Sequence, residues 1–266
     1  MKAKLIIGMM PLIILCTALL ILSSGCAGDG SNKGEQGQPT QEVSYFKTLL
    51  VIGDDRSGST NDIRKLTADE YREIFEKVSE TGGGAVAVCL IGNPLPQSRE
   101  PFSLPLKALE NIKPFDPKDH SLTLSQKNVL RKKNEEIVRQ NQSVIAKNKS
   151  DVQEFIKIKL IPNVTDYKPS GQDQTDLDDA IGRINTLINE PQYKDFEKII
   201  VVMVSDGINQ PESNKIKPIT NKLSNKRTEI FLVGWEGPED VFDGMTVSKL
   251  SSKDGLIQII NNLKIN

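Results

Sequence analysis

Three separated stretches of the 266-residue chain carry oxygen donors suited to a hard cation. Asp55-Arg56-Ser57-Gly58-Ser59 places a carboxylate and two hydroxyls at alternate positions. A curled loop would turn those oxygens toward one point, and Gly58 removes the side chain that would crowd the curl. Thr175 stands in Gln174-Thr175-Asp176-Leu177, and Asp206 in Val204-Ser205-Asp206-Gly207. Two carboxylates and three hydroxyls, without His or Cys, suit Mg2+, with Mn2+ or Ca2+ as alternatives. Each stretch also has an ordinary reading. Ser57 and Ser59 would be turn residues, Thr175 a helix N-cap, and Asp206-Gly207 a strand-to-helix turn.

Composition narrows the competing chemistries. His120 is the single histidine, so a His-rich zinc site is excluded and any Ser–His–Asp mechanism must pass through it. No Gly-x-Ser-x-Gly elbow is present. A formal net charge of −1 supplies no basic field to attract nucleic acid. Cys16 lies in the first apolar run, Cys26 ends it, and Cys89 falls within a later apolar segment, where a small core residue is expected. No disulfide framework is implied.

The donors need elements to position them. Tyr45 to Ile52, Ala85 to Ile91, Ile199 to Val204 and Thr228 to Val233 are short, nearly continuous apolar runs that read as buried strands. Phe102 to Leu106 reads as an edge strand, where Pro105 is tolerated. Helical patterns cover Asp69 to Val78, Asp176 to Ile188, Pro211 to Leu223 and Gly255 to Leu263. Apolar strands alternating with helices predict an α/β fold, a Rossmann-like, doubly wound and mostly parallel sheet with both faces covered. In such sheets sites form at the carboxyl ends of strands, where Asp55 and Asp206 fall.

Taken together, the three loops resemble the von Willebrand factor A domain and its metal-ion-dependent adhesion site. The family motif is Asp-x-Ser-x-Ser after the first strand, Thr in a middle loop, and Asp before Gly after the fourth strand. All five positions are filled here in that order, over about residues 45 to 265. The resemblance implies that Ser57, Ser59 and Thr175 touch the metal directly and that Asp55 and Asp206 hold it largely through water. It further implies that one coordination position stays open for an acidic residue of a partner protein. Three neighbours depart from the pattern: Asp54 where an apolar residue is usual, Thr60 where Met is common, and Arg56, which adds a cation beside the motif.

The N-terminus reads as an address. Met1-Lys-Ala-Lys4 is positive, Leu5 to Leu22 is uncharged, and Ser23-Ser24-Gly25-Cys26 follows. This is a secretory signal by pattern, and the placement of Cys26 resembles a bacterial lipoprotein signal (residues 1–25), in which that cysteine is lipidated. An uncleaved membrane anchor is the alternative. Either reading puts the chain in the cell envelope, facing periplasm or exterior. Residues 26–43 hold little to bury and are expected to form a flexible tether, reaching roughly 55 Å when extended at about 3.3 Å per residue.

The stretch from 93 to 168 exceeds what the motif requires. It opens with six prolines, and Leu124 to Leu160 then lacks both Gly and Pro, so one long helix at about 124–160 is expected. Leu130, Ile137 and Val144 repeat at seven, with Asn134, Asn141 and Asn148 repeating beside them. Such a narrow stripe suits a partly solvated helix or a partner surface. The alternation from Phe155 to Ile161 competes as a strand.

The function best matched to these features is a membrane-tethered, non-enzymatic module that binds a protein partner through a divalent cation. A metal-free scaffold working through the long helix is the alternative. A Mg2+-dependent hydrolase using Asp54, Asp55 and Asp206 lacks a nearby Lys or His acid or base.

Overall fold

The computed structural model describes residues 43–57, 65–92, 99–116, 118–168, 174–212, 215–225 and 227–261. The apolar N-terminal run, Cys26 and the tether, together with Ser59 and Thr60, lie outside the described residues.

The fold is α/β, as the alternating pattern predicts. Six strands form one sheet in the order β3-β2-β1-β4-β5-β6, comprising β1 (Thr48–Asp55), β2 (Gly84–Ile91), β3 (Phe102–Leu106), β4 (Lys198–Val204), β5 (Thr228–Val233) and β6 (Thr246–Leu250). All neighbours pair in parallel except β2 and β3. β6 is not legible in the sequence because Thr-Val-Ser-Lys-Leu is only half-buried and carries no apolar run.

Side chains alternate across the pleat, so β1 feeds two cores at once. Leu50 and Ile52 pack with α1 (Ala68–Thr81), α4 (Lys253–Asn261) and the far end of the long helix α2 (Leu124–Phe155). Leu49 and Val51 pack with α3 (Leu177–Ile188), Trp235 and Phe242 on the other face. α1 starts at a capping box, in which Thr67 Oγ1 accepts the Glu70 N–H and Glu70 Oε2 accepts the Thr67 N–H at 2.8 Å. Its apolar stripe of Tyr71, Ile74, Phe75 and Val78 is fully buried.

The expected helix over Pro211 to Leu223 does not form. Lys217 is constrained by Pro218, which also lacks the N–H a helix interior needs. The segment is held open instead: Asp178 Oδ1 accepts the N–H groups of Thr220 and Asn221, each at 2.6 Å, and the Leu223 N–H reaches Val241 O.

The long helix is real and longer than expected. α2 continues without a break into π-helical turns over Ile156–Thr165, so Phe155 to Ile161 is not a strand. The 42 residues span about 63 Å at 1.5 Å per residue. Val152, Phe155, Ile156, Leu160 and Val164 pack on the α1 face of the sheet. Toward the N-terminus α2 instead accompanies an extended strap over residues 107–115. Asn148 brackets Lys107, accepting its N–H and donating to its carbonyl, both at 2.9 Å. Asn141 does the same to Glu110 at 2.9 and 2.8 Å, and Asn134 donates to Lys113 O at 2.8 Å. Seven helical residues advance about 10.5 Å, close to three residues of extended chain at about 3.3 Å each. The heptad of asparagines therefore reads every third strap residue, while Leu109, Ile112 and Phe115, also three apart, are buried.

This pairing fixes where the helix goes. β3 is antiparallel, so Leu106 lies beside Gly84, at the end of the sheet where the parallel strands begin. The strap leaves from that end, and the ladder recedes from Asn148 to Asn134 with it. Strap and helix together form an arm, on which only Asn134, Ile137 and Asn141 of residues 124–147 are buried. Val43, the first described residue, pairs with Ile112 of the strap.

Asn141→Leu is expected to cost about 2 kcal/mol in urea unfolding, because two part-buried hydrogen bonds to the Glu110 N–H and C=O are lost at about 1 kcal/mol each. An unchanged midpoint would show that the ladder contributes no stability.

Candidate cation site at the strand ends

Asp54 and Asp55 are adjacent, and the pleat sends them to opposite faces. Both are buried, and burial pushes both carboxyls above the ordinary value of 3.8. Their partners differ entirely.

Asp54 follows Leu50 and Ile52 to the α1 side. Its Oδ2 receives Arg56 Nε at 2.9 Å, Arg56 Nη2 at 2.5 Å and the Tyr71 hydroxyl at 2.5 Å. The same Arg56 Nη2 donates to Leu66 O at 2.5 Å. Arg56 therefore turns to the α1 side and not toward Asp55, where its place in the sequence suggested a free cation. Its charge is matched by Asp54, and it ties the end of β1 to Leu66. Lys65 Nζ reaches Arg56 O and Ser57 O at 3.4 and 3.3 Å. Lys253, from α4, donates to Lys65 O at 3.3 Å and to Glu70 at 2.6 Å.

Asp55 lies on the α3 side. Its Oδ1 accepts the Ser57 N–H at 2.9 Å and its Oδ2 the Ser205 hydroxyl at 2.7 Å. Burial raises its pKa, the Ser57 and Ser205 hydrogen bonds oppose that, and the Asp206 charge raises it further. Ser205 was not singled out from sequence. Its only signal is its place before Asp206 at the end of β4, where the register sets Val204 against Asp54.

Asp206 is half-buried. Its Oδ1 accepts the Ile208 N–H at 2.9 Å and its carbonyl accepts the Glu236 N–H at 2.8 Å. Gly207 has φ +79°, and a Cβ there would stand 2.6 Å from Gly237 N, so only glycine lets the β4 and β5 loops meet.

Thr175 is buried, but it is not the N-cap. That role falls to Asp176, whose side chain accepts the Asp179 N–H at 2.9 Å. Thr175 instead makes an antiparallel bridge to Gln210, at 3.0 and 2.8 Å, which joins its loop to the one following Asp206. Asn209 strengthens the join by accepting the Leu177 N–H at 3.0 Å. A Cβ at Gly92 would lie 3.9 Å from Ser57 N and 4.0 Å from Gln174 O, which brings the first and middle loops to one place. Of the five predicted donors, Asp55, Ser57, Thr175 and Asp206 share this strand-end edge, and Ser59 lies outside the described residues.

The donor chemistry fits a hard cation. Among the described residues no hydrogen bond engages the Thr175 hydroxyl or Asp206 Oδ2, and two neighbouring carboxylates repel one another in a largely buried setting. No group of three or more His, Cys, Asp or Glu forms among the described residues. His120 is on the arm, at the opposite end of the sheet, and Cys89 is a free, buried core residue whose thiol burial pushes up to about 11.

No family model matches the chain, and no curated protein matches it. Among solved structures it is similar to two of proximal thread matrix protein 1 from the mussel byssus. Identities are 14% and 13%, TM-scores 0.38 and 0.37, and the matches cover 84% and 83% of this chain. The chain spans about half the length of those proteins, 49% and 47%.

Asp54→Ala is expected to destabilise by about 3 to 5 kcal/mol in denaturant unfolding, because it strands a buried guanidinium, and adding Arg56→Leu is expected to recover much of the loss. Full additivity of the two costs would refute the pairing. Glu70 gives a pH test. Burial raises its carboxyl, but hydrogen bonds from Lys253 and Thr67 outweigh this and hold it below 4.5. Its stabilisation is present above 4.5 and is lost as pH falls through the folded value. The stability gap between wild type and Glu70→Gln should therefore narrow as pH drops below 4.5, and a constant gap would contradict it.

Proposed function

We propose that this chain is a membrane-tethered protein-binding module of the von Willebrand factor A kind, which docks an acidic group of a partner protein at the strand-end site. Asp55, Ser57, Ser59, Thr175 and Asp206 would hold Mg2+, with Mn2+ or Ca2+ as alternatives. Bound there, the cation would supply an electrophilic position for a carboxylate oxygen of the partner. The reading rests above all on one observation. Loops distant in sequence deliver two carboxylates, an unengaged threonine hydroxyl and a serine to one edge of a parallel sheet.

The chain's own residues divide the work. Ser205 and the Ser57 N–H fix both oxygens of Asp55, which sets its orientation before any ligand arrives. The Thr175–Gln210 bridge fixes the middle loop against the Asp206 loop. Arg56 holds the first loop from below and contributes no free charge above. An apolar hollow of about 350 Å³, lined by Gly207, Ile208, Ile216, Ile219 and Pro238, adjoins Asp206 and suits an aliphatic neighbour of the docking carboxylate.

The hydrolase alternative is weakened by Asp54, whose Oδ2 is taken up by Arg56 and Tyr71 on the other face. The metal-free scaffold draws its support from the largely exposed arm. Cys26 lipidation would place the module in a bacterial cell envelope, facing periplasm or exterior. Among the described residues no helix is long and apolar enough to cross a membrane.

Calorimetry of the detergent-solubilised full chain with MgCl2 or MnCl2 is expected to show one site, lost in Asp206→Ala and Ser57→Ala. Binding unchanged by both substitutions would sink the site. Capture of an envelope protein that disappears with EDTA supports docking, and capture indifferent to EDTA favours the scaffold.

A further inference from the structure

The arm ends in a patch that the strand-end site does not use. Residues 116–133 carry five basic side chains, Lys118, Lys127, Arg131, Lys132 and Lys133, against Asp116 and Asp119, in a chain whose net charge is −1. Lys132 and Lys133 are exposed, and no carboxylate among the described residues lies within ion-pair range of them. Among the described residues Arg131 pairs with Glu135, at 3.7 Å on the surface. Beside these cations stand two of the most exposed large apolar side chains among the described residues, Leu124 at 77% and Val129 at 65%. At 100° per residue, Val129 and Lys132 fall on the side of α2 away from the asparagine ladder and Lys133 on its flank, and all three are exposed.

Position supplies the occupant. The arm leaves the sheet at the end opposite the strand-end site. Val43 pairs with Ile112, so the described chain begins on the arm itself. Leu124 lies ten residues beyond Asn134, about 15 Å along the helix. Sixteen residues separate Cys26 from Val43, a chain length of roughly 55 Å at about 3.3 Å per residue. That length exceeds the distance of about 15 Å from Asn134 to Leu124, so a bilayer holding Cys26 could meet the arm tip. Cationic side chains interleaved with exposed aliphatics are the chemistry that an anionic lipid interface attracts.

We propose that the arm tip rests on an anionic phospholipid surface, so that the domain stands on its membrane at two points, the N-terminal lipid and the first turns of α2. The inference rests on the tether reading given above. In this stance the strand-end site faces away from the bilayer, toward a partner approaching from beyond it.

The test uses the full chain with its native N-terminus, reconstituted on phosphatidylcholine vesicles with and without phosphatidylglycerol and with doxyl-labelled lipid. Val129→Trp reports at the tip, with Leu124→Trp as a second probe if the first fails to fold. Trp235, buried at the strand-end side, supplies the background. Flotation reads the tether, and quenching reads the arm. The chain should float on both vesicles. The introduced tryptophan should be quenched several-fold more on phosphatidylglycerol, and the effect should be lost in Lys132→Glu/Lys133→Glu and at high salt. A chain that floats with the probe unquenched on anionic vesicles overturns the proposal, leaves the tether standing, and returns the tip to solvent or a protein partner. A chain that does not float overturns the tether reading and the two-point stance with it.

Discussion

The pairing of Asp54 with Arg56 beneath the first loop is the constraint on which the strand-end architecture turns. β1 finishes in two carboxylates at full burial, which a sheet interior does not tolerate unless each is compensated. The pleat separates them, and separation allows two solutions. One carboxylate is neutralised inside the core by a guanidinium and a phenol. The other is met by hydroxyls and an amide that orient it without cancelling its charge. Because Arg56 also grips Leu66 O, the same interaction that makes Asp54 tolerable closes the loop that presents Ser57. A neutral residue at Asp54 would remove the reason for Arg56 to turn inward, and the loop would lose its lower clasp.

A second device, of lower energy but greater length, governs the arm. Isolated exposed helices of this size hold together poorly without tertiary support, and here the support is polar. Primary amides can donate and accept at once, so Asn148 and Asn141 each satisfy both backbone groups of one strap residue, as a β-strand neighbour would, while Asn134 meets one carbonyl. The apolar side chains three residues apart on the strap supply the burial that the ladder lacks.

Much of this was legible in the sequence. The four apolar parallel strands, the edge strand with Pro105 and the long helix all followed from run length, periodicity and turn residues, as did the placement of Asp55 and Asp206 at strand ends. The illegible parts have physical reasons. Arg56 sits two places from Asp54, a spacing that says nothing about direction until the pleat and Tyr71 are known. Pro211 to Leu223 carried a helical apolar pattern, yet Asp178, a half-buried carboxylate on another element, captures the backbone amides that a helix would have used. The asparagine repeat was visible as a repeat. Its meaning was not, because the partner strap is defined by three-residue spacing and by no composition of its own. Thr175 could be read as a cap only while Asp176, one residue on, was not seen to take that role.

The match between seven helical residues and three extended ones has a consequence for how such an arm can change in size. A single insertion in the helix would rotate every asparagine beyond it away from the strap, and a single insertion in the strap would present the wrong carbonyl to each amide. Growth or shortening that preserves the pairing must come in coupled steps, a heptad on one side and a triplet on the other. Arm length in this architecture is therefore quantised, in increments of about 10 Å.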